Sequence, residues 1–167
     1  MSIPIPLARP DLRSLFALFP PADDVPGIRN VPAHEVPQPY HKLLVHKRHM
    51  TVTVEAHHGK LVNVRILDRR HVGEVYARKI LLVTQQSQKV VQFGIVRIQL
   101  RYCSKAVRDE IIAGQTPVGR ILINHKVLRR IEPTELRELL YFLVDTVLDR
   151  QPPADAEAPP LLQLTVT

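Results

Sequence analysis

The sequence predicts an α+β domain, an antiparallel β-sheet flanked by helices. Three observations carry that expectation. Between Val62 and Leu100, apolar residues alternate in three successive runs joined by short turns, which favours antiparallel pairing over parallel crossovers. Segments with helical spacing or helix caps stand on both sides of this block. The chain has 167 residues, 45% of them apolar and 23% charged, which suits one globular domain with its own core.

Taken in order, Asp11 to Phe19 is a short helix with Leu12, Leu15, Phe16 and Phe19 on one face, and Pro20 and Pro21 stop it. Pro26, Pro32, Pro37 and Pro39 follow, so residues 1–39 read as a Pro-rich arm that wraps rather than folds alone. Tyr40 to Val45 forms one or two turns. The first strand alternates Val62, Val64 and Ile66 with Asn63, Arg65 and Leu67. In the second, Tyr76, Arg78, Ile80 and Leu82 share one face, and Val75, Ala77, Lys79, Leu81 and Val83 the other. Gln85 to Lys89 is a polar turn. The third run places Val90, Gln92, Gly94, Val96, Ile98 and Leu100 on one face.

Ser104 caps a short helix that ends at Gly114, with Val107 and Ile111 pointing inward. Thr116 to Gly119 is a tight connection, and the pattern from Gly119 to Val127 fits strand or helix. Pro133 and Thr134 open a helix on the spacing of Leu136, Leu139, Leu140, Leu143 and Val147, with Glu132, Glu135 and Glu138 favourably placed at its start. Residues 40–150 thus make the main domain. Residues 151–167 are a Pro/Ala/acidic linker and a possible edge strand from Leu161.

Composition narrows the function classes. The single cysteine, Cys103, precludes a disulfide within the chain and reads as a small apolar side chain rather than a catalytic thiol. There is no signal-peptide pattern and no apolar run of the ~20 residues a membrane helix needs, so a cytoplasmic protein without a membrane partner is expected. The net charge of +7 favours anionic partners. Its Lys and Arg residues are scattered and only four Tyr and four Phe are present, which argues against nucleic acid. His46 and His49, and His57 and His58, lack a third ligand and read as polar loop histidines rather than a metal site. No Gly-rich phosphate loop or nucleophile elbow is present.

Two residues stand out on the strands. Arg78 shares a face with Tyr76, Ile80 and Leu82, and a guanidinium buried there needs an anion, for which a carboxylate is the natural partner. From the pattern alone a structural ion pair or a snorkelling side chain at a sheet edge is the favoured account of it. Gly94 sits mid-strand, where glycine costs about 0.5–1 kcal/mol, and so marks a bulge or the close approach of a ligand.

Four segments in this order and spacing resemble chorismate lyase and its relatives: Leu43 to Thr51, Tyr76-Ala-Arg78-Lys-Ile-Leu-Leu82, Phe93-Gly94-Ile-Val-Arg-Ile98, and Thr116-Pro-Val118-Gly119-Arg120. The resemblance covers about residues 40 to 130, and effector domains of some bacterial transcription regulators share the same fold. It implies an antiparallel sheet with an enclosed ligand site on one face. The implied activity is cofactor-independent conversion of chorismate to 4-hydroxybenzoate and pyruvate. Arg78 matches the family's carboxylate-binding arginine, Met50 and Val118 match positions whose backbones line the site, and Gly94 matches the glycine that leaves room for the ring. The family's glutamate on its last strand falls near Thr165 or Val166, neither of which ionises. The alternative that departure supports is a non-catalytic module that binds a small aromatic carboxylate. A third class is a structural or protein-interaction domain.

Overall fold

The computed structural model describes residues 12–19, 28–127, 133–139 and 161–165. In chain order these form α1 (Leu12–Phe16), β1 (Ile28–Asn30), a 3₁₀ turn (Ala33–Glu35), α2 (Tyr40–Leu44), α3 (Met50–His58), β2 (Val62–Val72), β3 (Val75–Thr84) and β4 (Val90–Gln99). A second 3₁₀ turn (Leu100–Tyr102), α4 (Lys105–Ala113), α5 (Val118–Asn124), β5 (Pro133–Leu139) and β6 (Leu161–Thr165) complete them. The architecture is mixed α+β, with a three-stranded antiparallel meander, β2-β3-β4, and several helices. Among the described residues no helix is long and apolar enough to cross a membrane.

The central strand β3 is buried along almost its whole length, as apolar residues on both of its faces require. One face carries Tyr76, Arg78, Ile80 and Leu82. Tyr76 meets Leu100, Val107 and Ile111 of α4, and Ile121 of α5. Ile80 and Leu82 join Val62 and Val54 of α3, with Leu43, Met50 and Val96 alongside. The other face carries Val75 and Ala77 against Leu15, Phe16, Leu18 and Phe19. Each buried aliphatic or aromatic side chain of these clusters contributes about 1.5–3 kcal/mol of transfer free energy. Lys79, on that second face, holds its ammonium 5.7 Å from the centre of the Phe19 ring.

Two bulges sort the edge strands between these faces. Ile66 pairs with Ile80 but Asp68 pairs with Lys79, leaving Leu67 as the extra residue. Val64 and Ile66 therefore pack beside Ile80 and Leu82, whereas Val72 joins the cluster under α1. Gln92 pairs with Leu82 but Val90 pairs with Val83, so Val91 is extra. Simple alternation places Val90 on the Gly94 face; the bulge moves it to the opposite one.

The helix from Ser104 follows its sequence signals closely. The Ser104 side chain accepts from the Val107 N–H at 3.4 Å, and Val107 and Ile111 are 2% and 0% exposed. Gly114 closes α4 at φ 74°, and Gly59 closes α3 at φ 60°, the left-handed positions that glycine adopts without steric cost. Residues 118–124, which fit either state by pattern, are helical. α3 is an addition to the expected elements. Its Thr51-Val-Thr-Val54 run is β-branched and carries little helix propensity. It places His57 and His58 in a helical turn rather than a loop.

The helix expected to open at Pro133 is not formed: Pro133–Leu139 is strand β5. β5 pairs antiparallel with β1 on one side and β6 on the other, in the order β1-β5-β6. Pro is acceptable both at the first helical position and at the start of a strand, so it did not discriminate. The helical spacing rested chiefly on Leu140, Leu143 and Val147, which lie outside the described residues. Within Pro133–Leu139 backbone pairing on both edges prevails over local propensity. Glu135 and Glu138 accordingly occupy register positions opposite Leu164 and Leu161 instead of a helix start, and Glu132 lies outside the described residues. Leu161–Thr165 forms the expected edge strand, though in this second sheet. The Pro-rich stretch before Ile28, the linker before Leu161, and Val166 lie outside the described residues.

Candidate functional site

Three elements meet over the Ile80/Leu82 face of the meander and leave a cavity of about 140 Å³. That is close to the ~150 Å³ of an apolar cavity able to hold a benzene ring. The floor is sheet: Ile80 and Leu82 from β3, and Gln92, Gly94, Ile95 and Val96 from β4. One wall is the start of α3, with Arg48, His49, Met50 and Thr51. The facing wall is the start of α5, with Pro117, Val118, Gly119 and Leu122. Met50 and Val118 are the first residues of their helices, positions whose N–H groups have no intrahelical acceptor.

The walls approach closely because Gly119 has no side chain. A Cβ built there would lie 2.8 Å from Thr51 Oγ1 and 3.2 Å from Thr51 Cβ. Thr51 is 6% exposed and has little room to retreat. Gly119→Ala is expected to push α5 from α3 and to destabilise the protein by about 1–3 kcal/mol, read as a lowered midpoint in chemical denaturation. Below this contact, Glu55 of α3 pairs with Arg120 of α5 and accepts from the Val62 N–H at 3.2 Å, tying both helices to the start of β2.

Gly94 pairs across the strands with Ile80. Among the described residues a Cβ at Gly94 would meet only Ile80 Cγ1 at 3.6 Å and Cδ1 at 3.9 Å, ordinary contacts. Packing among the described residues therefore does not require glycine here. What its missing side chain leaves is open space over the floor.

Arg78 is 0% exposed. Its Nη2 donates to the Thr116 carbonyl at 3.1 Å, while Nε and Nη1 have no acceptor among the described residues. Among the described residues no carboxylate pairs with it. Burial holds its pKa below the ordinary arginine value, with the neighbouring Tyr76 hydroxyl acting in the opposite sense. The Tyr76 hydroxyl is likewise buried without a hydrogen-bond partner. Arg78 is not part of the cavity lining, but both of its fixed neighbours adjoin it: it pairs with Val96, and Thr116 precedes Pro117.

The cavity thus brings Met50, Gly94 and Val118 together and sets Arg78 against its edge. Sequence patterning passed over Thr51, Gly119 and Gln92 as site residues. For Gln92 a signal existed: an amide on an otherwise apolar strand face. For Thr51 and Gly119 none did, because their contact joins helices 68 residues apart in sequence. Cys103 is partly buried, with burial raising its thiol pKa, the opposite of an activated nucleophile. Among the described residues no group of three or more His, Cys, Asp or Glu side chains is placed to hold a metal ion. No protein-family model matches the chain, and no curated protein matches its sequence.

Proposed function

We propose that the cavity binds a small aromatic carboxylate, and that the protein is a chorismate-lyase-like enzyme releasing 4-hydroxybenzoate and pyruvate from chorismate. One observation carries the binding step: a fully buried guanidinium with two unpaired nitrogens and no anionic partner among the described residues. An uncompensated buried charge costs several kcal/mol, and a ligand carboxylate removes that cost while forming charge-assisted hydrogen bonds. The apolar floor accepts the ring above Gly94, and the first N–H groups of α3 and α5 add backbone donors at the walls. The resemblance of four ordered segments to chorismate lyases supplies the reaction. Breaking the ether C–O bond with loss of a ring proton makes the ring aromatic, so the driving force lies in the substrate. The protein's part is to orient chorismate and to stabilise charge on the departing pyruvate unit.

A non-catalytic binding module for the same class of ligand is the second reading. It is favoured by the lining, which among the described residues includes no Asp or Glu. Incubation of the purified protein with chorismate decides between them. Release of both 4-hydroxybenzoate and pyruvate, lost in Arg78→Ala, supports the enzyme. Absence of turnover with 4-hydroxybenzoate still bound supports the binding module, and absence of both turnover and binding overturns the two together.

A further inference from the structure

We propose that Gln92 determines ligand specificity, selecting aromatic acids that carry a hydrogen-bond donor on the ring position opposite the carboxylate. This rests on the cavity being an aromatic-carboxylate site. Gln92 is one of the residues lining the cavity, and its Oε1 is buried without a hydrogen-bond donor among the described residues. An acceptor left in that state carries the full cost of its desolvation, which a donor on the ligand relieves.

The sheet register sets where that donor must sit. Arg78 pairs with Val96, Ile80 with Gly94, and Leu82 with Gln92. All three β4 residues face the cavity, with Gly94 midway between the other two. Val96 and Gln92 are four residues apart, about 13 Å along a strand. Arg78, just outside the lining, and Gln92 therefore stand at opposite ends of the floor, and a ring lying over Gly94 has one end toward each. A para-substituted benzoate matches that arrangement: an anion at one end, a donor at the other, an apolar ring between. The other strand residues of the lining, Ile80, Leu82, Gly94, Ile95 and Val96, offer no side-chain acceptor. Sites built around a ligand hydroxyl or amine discriminate sharply against analogues lacking it, because their own polar group is then left unpaired.

Titration calorimetry with 4-hydroxybenzoate and 4-methylbenzoate tests this, since the two differ little in size and only the first has a donor. The wild-type protein is expected to prefer 4-hydroxybenzoate by about tenfold, the scale of one buried hydrogen bond. Gln92→Met, which fills similar space without the orphaned acceptor, should reduce the preference to within about twofold and leave 4-methylbenzoate bound at least as tightly. Equal binding of the two acids by the wild-type protein overturns the role of Gln92 without recourse to any variant. So does a preference that survives in Gln92→Met, and in both cases the carboxylate site stands. Failure of the wild-type protein to bind either acid overturns the carboxylate site and this inference with it.

Discussion

Arg78→Met is expected to weaken 4-hydroxybenzoate binding by about 1.5–3 kcal/mol, roughly ten- to 150-fold, while leaving thermal stability unchanged or raised. The two halves of that result come from the same guanidinium. Its charge is fully buried, and among the described residues only Nη2 is bonded and no carboxylate compensates it. In the free protein such a group is a net cost, and replacing buried charge by an apolar side chain of similar volume is often neutral or stabilising by about 1–4 kcal/mol. The lost bond to the Thr116 carbonyl returns about 1 kcal/mol of that. A structural ion pair gives the reverse pattern. Breaking a buried pair costs about 3–5 kcal/mol, a fall of roughly 10 °C in a domain of this size. Melting curves with and without ligand therefore separate the two. A wild-type protein stabilised by 4-hydroxybenzoate beside an Arg78→Met protein that is not, yet melts no lower alone, identifies a ligand-binding arginine. A large fall in the melting point of the ligand-free variant removes Arg78 from the site.

The parts of this structure legible in the sequence are those fixed by local rules. The alternation around Tyr76–Leu82 and Val91–Ile98 follows the two-residue period of a strand, and both flanking turns are short, so the antiparallel meander is readable. Ser104 and Gly114 delimit α4 by cap chemistry that acts within one turn. Arg78 and Gly94 draw notice because each breaks the pattern of its own strand. What escaped depends on partners distant in the chain. β5 is a strand because β1 and β6 pair with its two edges, and neither neighbour is visible from Pro133–Leu139 alone. α3 is helical despite its β-branched run. Val54 is buried against Val62, Ile80 and Leu82, and Glu55 is held by Arg120 and the Val62 N–H. The bulges at Leu67 and Val91 reverse strand alternation without a glycine or proline to announce them. The candidate site divides the same way. Its floor follows from strand periodicity, whereas its two walls exist only because Gly119 lets α5 touch Thr51.

Gly94→Val offers the cleanest separation of stability from binding. Glycine inside a strand is unfavourable by about 0.5–1 kcal/mol, and a β-branched residue suits that backbone. The position already accepts a Cβ, with Ile80 Cγ1 and Cδ1 at ordinary contact distances of 3.6 and 3.9 Å. The variant is therefore expected to fold and to melt at or slightly above the wild-type temperature. Its three added carbons, however, project over the floor between Gln92 and Val96, the place proposed for the ring. Ligand and valine then compete for one space, and overpacking of about 1–3 kcal/mol lowers 4-hydroxybenzoate affinity tenfold or more. Gly94→Ala, with one carbon, should fall between the two. A folded Gly94→Val protein that binds like the wild type places the ring elsewhere and leaves this glycine a role in the strand alone. A graded loss across Gly, Ala and Val with the melting point held or rising is the result that a purely structural glycine cannot produce, because its replacement lowers stability before it touches binding.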